Sequence, residues 1–195
     1  MDPLQLIGVA ASLSLLAGWR LYATVAAAGL AMRFGLLQLP AQVHGLEALG
    51  NPWVIGVAIV GALAELFADK IAWLDSLWDG VHTLIRPVGG ALLALAVVDA
   101  SDPVWQVVSL LLGGSAALLS HGAKAGARAV VNTSPEPASN VAVSTAEDVL
   151  SFGSLWLALT TPAVAGVVAL ALVIVAAALL VLGWRVMAGL RAWFR

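Results

Sequence analysis

The sequence predicts an all-α membrane protein, a polytopic helix bundle of about six spans built as two related halves. Of its 195 residues, 62% are hydrophobic and only 10% are charged, whereas a soluble domain carries about 25% charged residues. Apolar stretches recur along the chain at lengths close to the roughly 20 residues that cross a bilayer. A charged motif also occurs twice: Ala17-Gly-Trp-Arg20 precedes Glu65, and Ala125-Gly-Ala-Arg128 precedes Glu147.

The composition excludes several classes of protein. The net charge is −2, so no basic surface is predicted for a nucleic acid. The chain has no cysteine, which excludes disulfides, thiolate metal sites and a cysteine nucleophile. The sequence contains no nucleophile elbow, phosphate-binding loop or His-Glu-x-x-His motif. An enzyme is therefore less favoured than a transport or binding protein, and no cofactor is predicted.

Turn-forming residues divide the chain into three apolar segments in each half. Prolines and glycines mark a loop over 35–52, and two prolines within 133–140 break the second half. The first segment begins with Met-Asp-Pro and lacks a basic leader, so it is predicted to be a retained helix. The predicted spans are Leu4–Met32, Trp53–Phe67, Val88–Val98, Val104–Asn132, Val141–Leu159 (partly spanning) and Ala163–Trp184.

The segment Ile71–Ile85 has a different pattern, that of an amphipathic helix. At about 100° per residue, Asp75, Asp79 and His82 fall on one face together with Arg86, and apolar residues cover the other face. The pattern predicts an interfacial amphipathic helix on the cytoplasmic membrane surface, with its polar face toward water. Asp75, Asp79 and His82 are also weak candidates for a magnesium or manganese site, because carboxylates and one imidazole share that face.

The two halves, residues 1–100 and 101–195, form a single membrane domain in this interpretation. Because each half has three spans, an odd number, the halves enter the membrane from opposite sides and form an inverted repeat. Basic residues are expected on the cytoplasmic side of the membrane. They cluster after the last span and between spans two and three, which predicts that both termini are cytoplasmic. These residues are Arg185, Arg191, Arg195, Lys70 and Arg86.

Small residues at helical spacing predict faces where helix backbones approach closely. Gly122 and Gly126 form a Gly-x-x-x-Gly pair in the second half. Ala23, Ala27 and Ala31 repeat a small residue every four positions in the first.

Basic residues inside apolar segments are the main candidates for a binding site. Arg20 lies mid-span, and His121, Lys124 and Arg128 share one helical face at i, i+3, i+7 spacing. A charge at membrane depth costs at least about 2.5–3.5 kcal/mol and usually marks a functional site. These cations favour an anionic or zwitterionic ligand in a shared cavity. The alternative is that Arg20 and Arg128 only hold the fold together by pairing with Glu65 and Glu147.

The break after the fourth span supplies further candidates. Irregular backbone at membrane depth is tolerated where it lines a cavity or is buried in protein, so Asn132, Thr133 and Ser134 are predicted ligand contacts. The alternative is an ordinary surface loop. Ser144-x-x-Glu147 matches a capping box and predicts a helix start there. Glu65, Glu147 and Asp148 are predicted to couple a proton or another ion to transport.

Several motifs occur in combination along nearly the whole chain. They are Glu65-x-x-x-Asp69-Lys70, Arg86-Pro-x-Gly-Gly, His121-x-x-Lys124-x-x-x-Arg128-x-x-x-Asn132-Thr-Ser-Pro-Glu-Pro, Ser139-Asn140 and Glu147-Asp148. In this combination the chain resembles a bacterial integral-membrane family catalogued as domain of unknown function 4126. The resemblance implies a compact multi-helix domain in the bacterial cytoplasmic (inner) membrane, and it implies no established activity.

The sequence therefore predicts a small transporter or channel, with the lipid bilayer and a small solute as partners. A chain of this length is expected to form a homodimer to enclose a path. One alternative is a lipid-directed enzyme or flippase, in which the basic cluster binds a phosphorylated headgroup and the Asp75, Asp79 and His82 face binds metal. Another alternative is a structural partner that assembles with a membrane complex.

Overall fold

The computed structural model describes residues 2–36, 41–98, 102–132 and 137–193, and over these residues the secondary structure is entirely helical. The all-α prediction is thus confirmed for the described chain. One 3₁₀ helix, Ala41–Gly50, lies within the predicted first loop. The α-helices are α1 (Pro3–Arg33), α2 (Pro52–Ala68), α3 (Ala72–Val97), α4 (Pro103–Val131), α5 (Pro137–Thr160) and α6 (Pro162–Trp193).

Three helices begin with the same sequence device, a capping residue followed by proline. The side chains of Asp2, Asn51 and Asp102 accept hydrogen bonds from backbone N–H groups in the first turns of α1, α2 and α4. Such caps satisfy amides that have no partner inside the helix, and proline at the first helical position lacks the N–H that would need one. The local sequence therefore determines where these three helices begin.

Four helices are long and apolar enough to cross a membrane, namely α1, α3, α4 and α6 over Pro162–Val186. Helix α2 is apolar but shorter, at 17 residues. Helix α5 has 24 residues and is not among the candidate spans, because its first turns are polar. The prediction of an integral membrane protein is supported, whereas six spans are not confirmed. Helix α1 is the central element and contacts every other helix.

Helix α1 is interrupted at Arg20, whose backbone is non-helical with φ −143° and ψ 74°. Before the interruption α1 runs antiparallel to α3. Ser14 donates a hydrogen bond to the carbonyl of Gly90, and one turn later Arg86 donates to the carbonyl of Gly18. Residue numbers thus rise along α1 as they fall along α3.

Beyond Arg20 the direction of α1 reverses relative to α3. Tyr22 is hydrogen-bonded to His82, and further along α1 Gly29 packs against the 3₁₀ helix, which itself packs against α3 at Ala96. Residue numbers now rise together in the two helices. Helix α1 therefore turns back on itself, and Arg20 lies at the tip of the resulting hairpin.

The two arginine-bearing helices run in the same direction. Gly18 of α1 lies so close to Ala117 of α4 that an added Cβ would overlap its carbonyl, and one turn earlier Ser14 lies next to Gly113. An inverted repeat would make these helices antiparallel, so the prediction of an inverted repeat is wrong for this pair. The motif repeats in sequence, but it places each arginine near the same end of the bundle.

The start of α1 and the end of α6 lie at opposite ends of the bundle. Ile7 lines a cavity with Val98 and Trp105, so the start of α1 lies beside the connection between α3 and α4. A Cβ added at Gly8 would overlap the start of α6, and α6 runs from there to the other end. The start of α1 and the last described turn of α6 are therefore separated by the length of the bundle.

The prediction of an interfacial helix over Ile71–Ile85 is also wrong. These residues are part of the continuous helix α3, which passes through Arg86 and Pro87 and includes most of the predicted third span. The polar face is buried against α1 and α4, with Asp75 and Asp79 exposed by 0% and 6%. The apolar face, including Leu84, is exposed. The polar side chains meet other charges inside the protein rather than water.

The closest approaches among α1, α3 and α4 do not occur at the predicted pair Gly122 and Gly126. A Cβ added at either glycine would meet nothing within 4 Å among the described atoms. In contrast, a Cβ at Gly18 or Gly90 would overlap α4. The backbones of α1, α3 and α4 therefore approach one another about one to two turns before the predicted pair.

The break between α4 and α5 is shorter than predicted. Helix α4 ends at Val131 with Asn132 as its C-cap, and α5 already begins at Pro137. Ser144 is inside α5, so the prediction of a capping box at this residue is wrong. Thr133 and Ser134 lie outside the described residues.

Candidate functional site

Nine charged side chains are buried together where α1, α3, α4 and α5 meet the connection between α2 and α3. We call this set the ionic network. Each member is at most 6% exposed, although water would stabilise each of these charges by several kcal/mol if it were exposed. The network consists of Arg20, Arg86, Lys124, Arg128, Glu65, Asp69, Asp75, Asp79 and Glu147.

Arg20, at the tip of the α1 hairpin, contacts three carboxylates. Its guanidinium lies 2.6 Å from Asp69, 3.0 Å from Asp148 and 3.6 Å from Glu147. Thr24 donates to the backbone carbonyl of Arg20 at 2.7 Å, which gives the interrupted backbone a side-chain partner. The tip of the hairpin thus brings α1, α5 and the α2–α3 connection together.

Glu65 of α2 is shared by two cations from other helices. One of its oxygens lies 2.5 Å from Arg86 and 3.8 Å from Lys124. Lys124 also pairs with Asp69 at 3.2 Å, and Arg86 with Asp79 at 3.3 Å. Helices α2, α3 and α4 are therefore joined by a chain of ion pairs.

Arg128 uses three of its nitrogens. The Nε group donates to Asp75 at 3.1 Å, and the two Nη groups donate to the backbone carbonyls of Asn140 and Asp69. Asn132, the C-cap of α4, lies one turn after Arg128, and its amide donates to Asp75 at 2.8 Å. Both side chains thus stabilise the same carboxylate.

The ion pairs that the sequence offered as an alternative are present in part. Arg20 does approach Glu147, but Glu65 pairs with Arg86 and Lys124. Arg128 pairs with Asp75 instead of a glutamate. Arg86 and Asp69 were not among the predicted site residues, and Asp79 was predicted only as a candidate metal ligand. Asp69 directly follows the apolar helix α2, and a charged residue at the end of an apolar segment is a signal that is visible in the sequence.

His121 bridges the network as a neutral ring. Arg86 is a permanent cation and donates to His121 Nδ1 at 2.6 Å, so this nitrogen must carry a lone pair. The proton then resides on Nε2, which lies 3.0 Å from the hydroxyl of Thr83 and 3.2 Å from the carbonyl of Asp79. Protonating His121 would cost its hydrogen bond with Arg86.

The predicted metal ligands do not converge. His82 donates from Nδ1 to the Trp78 carbonyl at 2.8 Å, and its Nε2 accepts from the Tyr22 hydroxyl at 3.1 Å. Asp75 and Asp79 turn toward Arg128 and Arg86. Across the described part of the chain, no three His, Cys, Asp or Glu residues are grouped closely enough to hold a metal. The three candidates Asp75, Asp79 and His82 are therefore not brought together as one ligand set.

The network has more negative than positive side chains. Among the described buried residues, five carboxylates face four cations. Four carboxylate oxygens have no hydrogen-bond partner among the described atoms, and only two guanidinium nitrogens of the network are in the same condition. The oxygens are Glu65 Oε2, Asp75 Oδ1, Asp79 Oδ1 and Glu147 Oε2, and the nitrogens are Arg20 Nε and Arg86 Nε.

Asp69, in the connection between α2 and α3, is the most strongly stabilised anion of the network. Burial works against its ionisation, but the charges of Lys124, Arg20 and Arg128 outweigh burial and hold the pKa of Asp69 below its usual value. Asp69 is therefore ionised at neutral pH and serves as the common anion for three cations.

Comparison with known proteins gives one match. The sequence profile described as domain of unknown function (DUF4126) matches residues 7–182. No curated protein and no solved structure matches the chain. All members of the ionic network lie within the matched range.

Proposed function

We propose that this chain, which belongs to the DUF4126 family, is a small membrane transporter or channel whose ligand site is the ionic network. One observation carries the proposal: α1 turns back at Arg20 inside that network. Interrupted helices at membrane depth are typical of transporter binding sites, because their irregular backbone must be buried in protein or line a cavity.

The spare hydrogen-bonding capacity favours a ligand that brings positive charge. Each guanidinium is already paired with a carboxylate, so a purely anionic solute would have to displace a buried partner. The carboxylate oxygens that accept no hydrogen bond from the described atoms instead suit a proton, a monovalent cation or the ammonium end of a zwitterion. We therefore favour the zwitterionic form of the predicted solute over the anionic form.

The proposed site has the following roles. Arg20, Lys124 and Arg128 orient the carboxylates and interact with the anionic end of a zwitterion, while Asn132 and His121 fix the ring of hydrogen bonds around them. The predicted coupling residues Glu65, Glu147 and Asp148 all lie in or beside the network. Asp148 is 25% exposed, and this exposure supports it as the outward connection of the site.

The membrane orientation is also a proposal. Lys70, Arg185 and Arg191 belong to the end of the bundle that carries the network. Under the positive-inside rule this end is cytoplasmic, which leaves the start of α1 on the other side of the inner membrane. We keep the expectation that two copies associate to complete a path.

The proposal is tested with pure protein in liposomes that contain a pH-sensitive dye. We expect proton movement driven by gradients of sodium, potassium or betaine. Asp148→Asn removes a charge-assisted contact with Arg20 from the exposed edge of the site, so the flux should fall about ten- to hundredfold. Arg185→Ala changes an exposed charge that is not a member of the network and should leave the flux unchanged. Equal flux in all three proteins, or none in the wild type, would reject the proposal.

A second candidate function, lipid transport, is favoured by a different observation. A cleft of about 250 Å³ between α5 and α6 has apolar walls, and Trp19 and Ser151 line it. The Trp19 indole N–H is buried without a hydrogen-bond partner among the described atoms, although buried tryptophans usually find one. A lipid carbonyl in the cleft would supply that acceptor, and transfer of a fluorescent phospholipid between leaflets that Trp19→Phe slows would support this function.

A further inference from the structure

Glu147 is the least well paired carboxylate of the ionic network. Its shortest contact with a cation is 3.6 Å, to Arg20. Each of the other four carboxylates has a cation within 3.3 Å. Glu147 Oε2 is also one of the buried oxygens without a hydrogen-bond partner, and the residue is only 5% exposed.

The cation next to Glu147 is already neutralised by other groups. Arg20 makes shorter contacts with Asp69 and Asp148, at 2.6 and 3.0 Å. A third carboxylate on one guanidinium therefore gains little attraction, while it bears the full cost of losing water. An ionised Glu147 would be an uncompensated buried charge.

The other charges that face Glu147 do not change this balance. Lys124 and Arg128 of α4 act on Glu147, but Lys124 is paired with Asp69 and Glu65, and Arg128 with Asp75. Lys70, from the α2–α3 connection, donates a hydrogen bond to Ser144 of α5 at 3.5 Å. Arg185 of α6 is exposed. Counted over the buried residues, the network has one more carboxylate than cations.

We infer that Glu147 is a proton-binding site, which holds a proton at neutral pH and is the one member of the network that exchanges it. The inference deepens the proposed function by naming the coupling ion as a proton and its carrier as Glu147. The geometry also removes two rivals. Glu65 is shared by two cations, and His121 accepts a hydrogen bond from Arg86 on the nitrogen that would have to be protonated.

Exchange needs a route, and the neighbouring residue supplies one. Asp148 is next in the chain, shares Arg20 with Glu147 and is 25% exposed. A proton leaving Glu147 can pass to Asp148 Oδ atoms at the edge of the network and from there to water. When Glu147 is ionised, Arg20 has three carboxylates to neutralise, which weakens its hold on Asp69 at the tip of the α1 hairpin.

The inference is tested by infrared spectroscopy of the purified protein in lipid bilayers, without any transport assay. Wild type should show the carbonyl band of a protonated carboxylic acid at neutral pH, and the band should disappear as the pH is raised. Glu147→Gln should remove the band, while Glu65→Gln should leave it in place. Absence of the band in wild type, or its persistence in Glu147→Gln, would overturn the inference.

Thermal unfolding of the same proteins gives an independent test. Because the folded state holds a proton that the unfolded state releases at neutral pH, wild-type stability should fall as the pH rises through the titration. Glu147→Gln mimics the protonated form, so it should fold, be at least as stable as wild type at alkaline pH, and lose this part of the pH dependence. Failure of Glu147→Gln to fold would show that the charge is needed and would refute the inference. Absent flux with a titrating Glu147 would refute only the transporter proposal.

Discussion

Arg128 shows at the residue scale how the fold depends on buried charge. It bonds Asp75 and two backbone carbonyls, and these partners come from three different segments of the chain. A lysine has one ammonium in place of this planar fork, so it cannot make all three contacts. The side chain therefore fixes the positions of α3, α5 and the α2–α3 connection relative to α4.

Replacing Arg128 should accordingly destabilise the protein. We expect Arg128→Ala to cost about 3–5 kcal/mol, because Asp75 would remain buried without its cation. Arg128→Lys should fall between that variant and wild type, since it keeps the charge but loses the fork. Arg185→Ala, at an exposed arginine, should change the free energy of unfolding by about 0.5 kcal/mol or less. Denaturant or thermal unfolding in detergent measures all three, and equal stability of Arg128→Ala and Arg185→Ala would contradict the expectation.

Sequence reasoning found most of the charged residues but not their partners. Arg20, Lys124 and Arg128 stand out because charges in apolar segments are costly, and this cost is local information. The partners depend on how helices are placed in space. Arg20 meets Asp148 only because α1 turns back at that point. The residue at the turn is an arginine, whereas proline or glycine is the residue expected where a helix is interrupted.

At the scale of elements, α3 shows why an amphipathic pattern is ambiguous. The same periodicity describes a helix with one face toward water and one whose polar face meets buried charges. For α3 the second case holds, because Arg128 of α4 pairs with Asp75, and Arg86 of α3 pairs with Asp79 and with Glu65 of α2. Those cations are also visible in the sequence. Pairing acidic helix faces with basic ones would therefore have been the way to predict that the polar face of α3 is buried.

Helix packing gives a prediction at the same scale. Gly18 lies against Ala117 and Ser120 of α4, where an added Cβ would overlap them, whereas a Cβ at Gly122 would meet nothing within 4 Å. Both glycines are inside helices. Gly122→Ala should therefore stabilise the protein, by up to about 1 kcal/mol from helix propensity. Gly18→Ala should destabilise it, because α1 and α4 must move apart. Thermal unfolding of the two variants checks this, and a stabilising Gly18→Ala would show that the helices are less closely packed.

The whole molecule is best described as a helical hairpin, α1, surrounded by five further helices. Hydropathy predicted the membrane class and the approximate helix ranges, since both follow from composition along the chain. It could not predict the topology, because a hairpin and a straight span have the same hydropathy. Because α1 turns back at Arg20, it is not the single span that the predicted inverted repeat requires.

The start of α1 and the end of α6 lie at opposite ends of the bundle, and this arrangement predicts a membrane topology that can be tested. A tag placed before Asp2 should be accessible from outside the cell, and one placed after the end of α6 only from the cytoplasm. A protease or an impermeant label applied to intact and to opened cells distinguishes the two sides. Both tags on the same side would mean that α1 crosses the membrane in full.

The interruption at Arg20 also has a consequence for biogenesis. A nascent chain emerges from the ribosome with α1 first, and Ser144, beside which Arg20 finally rests, is made 124 residues later. Until then the guanidinium would face lipid without most of its counter-charges, at a cost of at least about 2.5–3.5 kcal/mol. The first hairpin must therefore be sheltered by the insertion machinery or wait at the membrane surface while the later helices are synthesised. A chain truncated before α5 would keep that unpaired arginine, and quality-control proteases could recognise it by the same charge that holds the finished protein together.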